Sequence, residues 1–135
     1  MNGADIVRHR PATLAFWARS APLAACLLAM SPAAAAAADA EQGKAVFQAC
    51  TACHNDAGNA LGPSLKAVFG RKSAALEDYR YSPAMTRANM VWDEANLRSF
   101  IANPQAKVKG NRMPFGGITV EKDLDDVVAF LKTYK

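Results

Sequence analysis

Two thiols and an imidazole lie within five consecutive residues of this chain, Cys50-Thr51-Ala52-Cys53-His54. The spacing C-x-x-C-H is typical of covalent haem attachment. Each thiol can add across one vinyl group of the haem, and the histidine that follows directly brings an imidazole beneath the iron as an axial ligand. Because a haem is large and flat, the rest of the chain is expected to wrap around it.

Two other chemistries use closely spaced cysteines. A thiol–disulfide redox motif expects a βαβ context, whereas the chain after residue 38 shows helical periods and no alternating strand pattern. A structural zinc site needs four ligands, but residues 39–135 contain only Cys50, Cys53 and His54 as cysteines and histidine. Haem attachment is therefore the preferred interpretation of the pentapeptide.

Residues 1–38 have the composition of a secretory signal peptide. Three arginines precede residue 20, an apolar run covers residues 21–30, and the alanines at residues 33–38 offer several A-x-A cleavage sites. A lipoprotein-type processing site at Cys26 is disfavoured, because the apolar segment before it is too short. The pattern predicts export to the periplasm and one mature domain, residues 39–135.

The predicted mature domain is weakly charged. The whole chain has a formal charge of +4, whereas residues 39–135 hold 13 Lys and Arg against 11 Asp and Glu, a formal charge of +2. The lysines are scattered rather than clustered, which argues against a nucleic-acid partner. The apolar run at residues 21–30 is too short to span a membrane. We therefore expect no stable membrane insertion. We also expect the protein to be a monomer.

Apolar periodicity and capping residues predict an all-α domain. The predicted helices cover residues 40–52 and 65–69, a segment that starts at Ser82-Pro83, a segment that Asp93 caps and Asn103-Pro104 ends, and a final segment that Thr119 caps. The apolar face of the final helix has a helical period and consists of Val120, Leu124, Val127, Val128, Leu131 and Tyr134.

Residues 105–118 are predicted to form an irregular loop. Loops of this length are usually functional or disordered. Met113 lies beside a proline with glycines on both sides, so the loop can present its thioether toward a cofactor. Met85 and Met90 are the other methionines after residue 38, and a lone methionine more often fills a core than binds a metal.

Together these motifs resemble the class I c-type cytochromes, both mitochondrial and bacterial periplasmic. Besides the pentapeptide, the resemblance rests on Gly62-Pro63, Gly70-Arg71, Tyr81-Ser82, Val91-Trp92-Asp93-Glu94, Asn103-Pro104 and the segment from Gly110 to Ile118. It implies an all-α cytochrome c fold. In that fold about four to five helices surround one haem c that is bound covalently through Cys50 and Cys53.

The resemblance also implies roles at the iron. His54 would be the proximal ligand and Met113 the distal ligand. The carbonyl of Pro63 would accept the proton of the other His54 ring nitrogen, because metal-bound histidines usually have such a second partner.

Other matched positions lie around the haem. Arg71, Tyr81 and Trp92 match positions that hold the haem propionates, although Tyr81 and Trp92 are also typical core residues. Gly43 and Phe130 match the contact between the first and last helices. The apolar side chains expected to line the haem are Phe47, Leu65, Phe69, Trp92, Leu97, Phe100 and Phe115.

The chain departs from the mitochondrial pattern at three positions. Phe100 replaces a frequent tyrosine and Met85 replaces a common asparagine, and both changes bear on the reduction potential. Ala49 replaces a frequent lysine, which bears on docking to an oxidase of the mitochondrial type.

The function implied by the resemblance is electron transfer. A periplasmic carrier would cycle between Fe(II) and Fe(III) and exchange electrons with redox proteins that dock transiently at the haem edge. The alternatives are the cytochrome subunit of a periplasmic dehydrogenase, and a haem peroxidase if Met113 does not bind the iron. Residues 39–135 contain no catalytic triad, phosphate loop or paired-carboxylate site, so we expect a carrier rather than an enzyme.

Overall fold

The computed structural model describes residues 37–57 and 60–135. Within these residues the chain forms five helices, α1 (Ala40–Thr51), α2 (Pro83–Ala88), α3 (Glu94–Ala102), α4 (Pro104–Lys107) and α5 (Glu121–Thr133). The extended backbone described there pairs only in an isolated antiparallel bridge between Lys72 and Val91. The prediction of an all-α domain with about four to five helices is confirmed.

The predicted signal peptide falls on residues 1–38, of which only residues 37 and 38 belong to the described part of the chain. The leader and its cleavage point therefore stay predictions. Among the described residues, none of the helices is both long and apolar enough to cross a membrane.

Side-chain caps explain where the first three helices begin. Asp39, Ser82 and Asp93 accept backbone N–H groups from the first turns of α1, α2 and α3. Each bond satisfies an N–H group that has no partner within its own helix. Pro83 occupies the first position of α2, where its missing N–H is not needed. The starts predicted at Ser82-Pro83 and Asp93 are confirmed.

Helices α1 and α5 cross in direct backbone contact. A Cβ atom built on Gly43 would lie 1.9 Å from the carbonyl oxygen of Asp126 and 2.9 Å from the Cβ of Phe130. Only glycine therefore permits this approach. One turn further along α1, Phe47 packs against Phe130 and Tyr134, with ring centroids 5.0 Å apart in both pairs. The predicted contact between Gly43 and Phe130 is confirmed.

The buried apolar side chains form two groups. The α1–α5 cluster consists of Phe47, Val68, Leu97, Val127, Val128 and Leu131. The methionine cluster consists of Met85, Phe100 and Val108, against which Met90 and Met113 pack. Trp92 packs against both clusters, and its ring meets Phe100 edge to face at a centroid distance of 5.0 Å. This tryptophan therefore ties the two halves of the core together.

The prediction of an irregular loop over residues 105–118 is wrong at its beginning, because α4 occupies residues 104–107. Pro104 disfavours helix in the residue before it, and it also serves as the first residue of a new helix. The side chain of Asn103 caps α4 by accepting the N–H of Ala106 at 3.0 Å. One Asn-Pro pair thus ends α3 and starts α4.

Residues 65–69 form turns rather than the predicted helix. The hydrogen bond from Val68 N–H to the Leu65 carbonyl, at 3.1 Å, closes a four-residue turn. The prediction for the start of α5 is also wrong, because Val120 rather than Thr119 is the N-terminal cap residue. Val120 precedes the first helical turn and is 54% exposed, so it does not belong to the apolar face of α5.

We expect Gly43→Ala to lower the free energy of unfolding by about 1–3 kcal/mol, because the added methyl group overpacks the crossing of α1 and α5. Chemical denaturation of the haem-loaded protein measures the change. Gly116→Ala is the matched control, since a Cβ atom at Gly116 would meet no atom within 4 Å. A loss in the control as large as that in Gly43→Ala would contradict this explanation.

Asp126 should make stability depend on acid pH. Hydrogen bonds from Lys122 and from the Asp39 N–H lower the pKa of Asp126 below its usual value. A carboxylate with a lowered folded-state pKa stabilises the fold above its unfolded pKa, about 3.9, and this stabilisation disappears as pH falls through the folded-state pKa. As the pH is lowered from 6 into the acid range, the midpoint temperature of thermal unfolding should therefore fall less steeply for Asp126→Asn than for Asp125→Asn. The second variant keeps the Asp126 carboxylate and serves as the control.

Candidate functional site

The pentapeptide begins in the last turn of α1 and leaves the helix as a tight turn. The N–H groups of Cys53 and His54 both donate to the Cys50 carbonyl, at 3.1 and 2.9 Å. Both cysteines are half-buried, and neither takes part in a disulfide. The turn therefore holds the two thiols and the imidazole close together in a partly apolar setting, as covalent attachment of one cofactor requires.

The ionisation of Cys50 argues against a redox-active dithiol. Burial, and to a smaller extent the neighbouring Cys53, raises the pKa of the Cys50 thiol. Nucleophilic cysteines of thiol–disulfide enzymes have lowered pKa values instead. In the described part of the chain, no three His, Cys, Asp or Glu side chains are grouped so as to hold a metal ion. The zinc interpretation therefore gains no support either.

The His54 ring is fixed by the backbone that follows it. Its Nδ1 lies 2.8 Å from the Pro63 carbonyl oxygen. A neutral imidazole that donates from Nδ1 to this oxygen keeps the lone pair of Nε2 for a metal. The N–H of Gly62 donates to the Cys53 carbonyl at 2.8 Å, which ties the two segments together.

Gly62 provides the space for the imidazole. A Cβ atom built on Gly62 would lie 2.5 Å from Cε1 and 2.6 Å from Nδ1 of His54. The ring therefore rests directly on the Gly62 backbone, and any larger residue would displace it. The Gly62-Pro63 pair supplies both the contact surface and the hydrogen-bond acceptor.

A buried asparagine holds the methionine loop. Asn111 is 7% exposed, and its side-chain amide donates to the carbonyls of Pro104 at 2.8 Å and Val108 at 2.9 Å. Its Oδ1 accepts the N–H of Met113 at 2.8 Å. This role of Asn111 was not predicted from the sequence. The available signal was the position of an asparagine two residues before the methionine, since asparagine side chains often bond to the backbone two residues later.

Further contacts hold both sides of the loop. The guanidinium of Arg112 donates to the Tyr81 carbonyl at 2.7 Å. The N–H of Ile118 donates to the Ile101 carbonyl at 3.1 Å. Gly117 has a φ of +98° and leaves no room for a Cβ atom, which would lie 2.0 Å from the carbonyl oxygen of Ala102. The loop is therefore irregular but attached at several points.

The structure brings together the three residues that match propionate-binding positions. The N–H of Trp92 donates to the Arg71 carbonyl at 2.8 Å. Burial raises the pKa of the Tyr81 hydroxyl, and the nearby positive charge of Arg71 partly opposes this shift. The Arg71 guanidinium donates to the carbonyls of Ser64 at 2.8 Å and Lys66 at 3.0 Å. Both acceptors are neutral, and among residues 37–57 and 60–135 no carboxylate forms an ion pair with this guanidinium.

The side chains expected to line the haem differ in burial, and their contact with the haem stays a prediction. Phe69 is 37% exposed, and the ammonium group of Lys132 lies 5.6 Å from the centre of its ring. Phe69 lies in a turn at the surface, so it is not part of either buried cluster. Phe47, Leu97 and Phe100 are buried as expected, and Leu65 and Trp92 are half-buried against the α1–α5 cluster.

The donor set fits a covalently bound haem. Cys50 packs against the α1–α5 cluster, and Met113 packs against the methionine cluster. Trp92 packs against both clusters, so the attachment segment and the methionine loop border one continuous apolar interior. An all-α fold with this interior defines a small protein that binds haem c.

Comparisons with known proteins agree. The family model described as Cytochrome c matches residues 40–135. The cytochrome cH structure from Methylobacterium extorquens matches with a TM-score of 0.67 and 42% identity, covering 70% of this chain and 98% of that one. The chain belongs to the cytochrome c family, and the resemblance to class I c-type cytochromes is confirmed.

Individual relatives differ in length. Cytochrome c-550 of Nitrobacter winogradskyi is 41% identical over 99 residues, which cover 71% of this chain and 91% of that protein. Cytochrome c2 of Blastochloris viridis is 39% identical over 111 residues, covering 80% of this chain and 87% of that protein. A cytochrome c homolog of Rickettsia felis is 41% identical over 100 residues, covering 72% of this chain, but the match spans only 57% of that protein.

Family membership identifies the cofactor. Cytochromes c carry a covalent haem c and act in haem-based electron transfer, and Cys50 and Cys53 have the spacing of the attachment motif. The predicted single haem c, attached through these two cysteines, is therefore confirmed.

We expect Asn111→Ala to lower the free energy of unfolding by about 2–3 kcal/mol, because it removes three hydrogen bonds of a buried side chain, each worth about 1 kcal/mol. Denaturant unfolding of the haem-loaded protein measures this loss. Asn55→Ala is the matched control, since the Asn55 side chain also accepts an N–H two residues later, from Ala57 at 3.0 Å, but is exposed. Equal losses in the two variants would argue against burial as the cause.

Proposed function

We propose that the protein is an exported electron carrier in which His54 and Met113 are the axial ligands of the haem iron. When bound, the haem supplies an iron that alternates between Fe(II) and Fe(III). The observation that carries the proposal is the pair of backbone anchors described above. The Pro63 carbonyl oxygen lies 2.8 Å from Nδ1 of His54 and orients the imidazole. The Oδ1 of Asn111 accepts the N–H of Met113 at 2.8 Å.

Restrained ligands suit electron transfer, because they would keep the coordination of the iron similar in the Fe(II) and Fe(III) states. The imidazole of His54 is restrained by the Gly62 backbone on one side and the Pro63 carbonyl at Nδ1. The thioether of Met113 is a soft ligand that favours the reduced iron, so ligation by methionine and histidine raises the reduction potential. Packing of Met113 against Met85 and Phe100 keeps water from this side and acts in the same direction.

Arg71, Tyr81 and Trp92 are proposed to hold the haem propionates. Support comes from their proximity and from the charge of Arg71, whose guanidinium has only neutral carbonyl partners within the described residues. A guanidinium keeps its charge at all working pH values and has five N–H donors. The two carbonyl contacts use two of them. A carboxylate placed beside it would be stabilised in its charged form.

We propose residues 1–38 as the export signal and the periplasm as the place of function. Redox proteins usually dock through small, weak and transient interfaces, and the scattered lysines of residues 39–135 argue against binding to nucleic acid. A monomer suits this role, because a partner must reach the haem edge. The names of the relatives, cytochromes c, c2 and c-550, support a carrier rather than an enzyme.

Met113→Leu tests the distal ligand, because leucine preserves the volume of methionine but lacks the sulfur. We expect a ferric iron that becomes high-spin and binds cyanide quickly. The reduction potential should fall on the order of 0.1 V, within the range of about 0.8 V that axial ligands control. Visible absorption, cyanide-binding kinetics and voltammetry measure these changes.

Met85→Leu is the control, since Met85 belongs to the same cluster and this variant still contains Met113. Its ferric spectrum should stay low-spin. If the unmodified protein is already high-spin and binds cyanide at once, the distal ligation is wrong and the haem peroxidase alternative gains support. If Met85→Leu alone loses the low-spin spectrum, Met85 is the ligand instead.

A further inference from the structure

Asp126 is a buried carboxylate that binds the backbone at the beginning of α1. Its side chain is 3% exposed, whereas the side chains of Lys122 and Asp125 on the same helix are 43% and 46% exposed. Oδ1 accepts the N–H of Asp39 at 2.7 Å, a bond that spans 87 residues of sequence. Lys122 donates to both oxygens at 2.6 Å. The negatively charged carboxylate of Asp126 therefore lies beside the backbone nitrogen of one particular residue, Asp39.

Asp39 is also the N-terminal cap residue of α1. Its carboxylate caps the helix by accepting the N–H of Glu41 at 2.9 Å and of Gln42 at 3.3 Å. Ala37 and Ala38, which precede it, are exposed. The sequence pattern alone leaves several A-x-A cleavage sites within residues 33–38. The structure distinguishes one peptide bond among them, the bond between Ala38 and Asp39.

We propose that the leader is removed between Ala38 and Asp39, and that the new α-ammonium group of Asp39 forms an ion pair with the buried carboxylate of Asp126. This inference rests on the proposed export. Hydrolysis adds the hydroxyl of one water molecule to the Ala38 carbonyl carbon and the hydrogen to the Asp39 nitrogen, which takes a further proton from solvent. The neutral N–H donor thereby becomes a charged donor in the same place.

The charge balance at Asp126 permits this exchange. A carboxylate offers about four lone-pair positions, and the hydrogen bonds from Lys122 and Asp39 use three of them. Charge-assisted hydrogen bonds are shorter and about twice as strong as neutral ones. Asp39 is exposed, so water can solvate the two remaining hydrogens of the ammonium group. Removal of the leader would therefore strengthen the junction of α1 with α5.

Cleavage at a neighbouring bond would lose this contact. Each additional residue moves the terminal nitrogen by up to about 3.8 Å. A terminus at Ala38 would thus carry its charge in solvent, and Asp126 would keep Lys122 and the neutral N–H of Asp39 as its donors. A terminus at Ala40 would remove both the Asp39 cap of α1 and the donor to Asp126.

The intact mass of the exported, haem-loaded protein tests the cleavage point. We expect the mass of residues 39–135 plus one haem. The rate at which an amine-selective reagent acylates the α-amino group at neutral pH tests the ion pair, because only the neutral amine reacts. We expect acylation in the folded protein to be about tenfold slower than in denaturant, the ratio for a stabilisation of about 1.4 kcal/mol.

Two variants make the second test specific. Asp126→Asn should bring acylation in the folded protein close to the rate in denaturant. Asp125→Asn removes the same charge from the next residue of α5, whose carboxylate pairs with Arg98, and should leave acylation slow. The haem absorption spectrum verifies that each variant is folded. The comparison of folded and denatured unmodified protein stands even if Asp126→Asn does not fold.

Each result bears on a different claim. A chain that retains its leader and carries no haem contradicts the proposed function and this inference together. A haem-loaded chain that starts at any residue other than Asp39 overturns this inference and leaves the electron carrier intact. A chain that starts at Asp39 but acylates equally fast when folded and denatured overturns the ion pair.

Discussion

The close approach of α1 and α5 sets the position of the whole haem site. Contact at Gly43 leaves no room even for a methyl group, so the distance between the two helices is fixed by backbone atoms. Because Cys50 lies in the last turn of α1, the same contact fixes where the attachment segment leaves the helix. Phe47 then fills the space between the helices with Phe130 and Tyr134. The chemistry of the pentapeptide thus depends on a packing contact two turns away.

The two axial ligands proposed for the iron are held by different means. His54 rests on the Gly62 backbone and bonds to the Pro63 carbonyl nine residues later, so its placement depends on one short stretch of chain. Met113 depends on Asn111, which is itself buried against carbonyls at the two ends of α4. The distal side of the site therefore relies on the short helix α4, although α4 contributes no proposed ligand. This dependence explains why the loop needs a helix at its base.

Sequence reasoning succeeded where a function follows from local chemistry. The pentapeptide and the helix caps Ser82 and Asp93 are visible in short segments, whereas the contact of Gly43 with Phe130 was expected only from the family resemblance. It failed where one residue serves two purposes or depends on distant atoms. Pro104 both ends α3 and begins α4. The burial of Asp126 follows from the Asp39 N–H 87 residues away, a partner that no local pattern indicates.

The acceptor for the His54 ring is a main-chain oxygen, and this has a consequence for how such a site can change over time. A side-chain acceptor disappears with one nucleotide change, whereas every amino acid supplies a carbonyl. The hydrogen bond that polarises the imidazole proposed as the proximal ligand is therefore insulated from mutation of its acceptor residue, and it changes when the path of the chain shifts. Gradual adjustment of the potential is left to the distal surroundings, where Met85 and Phe100 can be replaced one at a time.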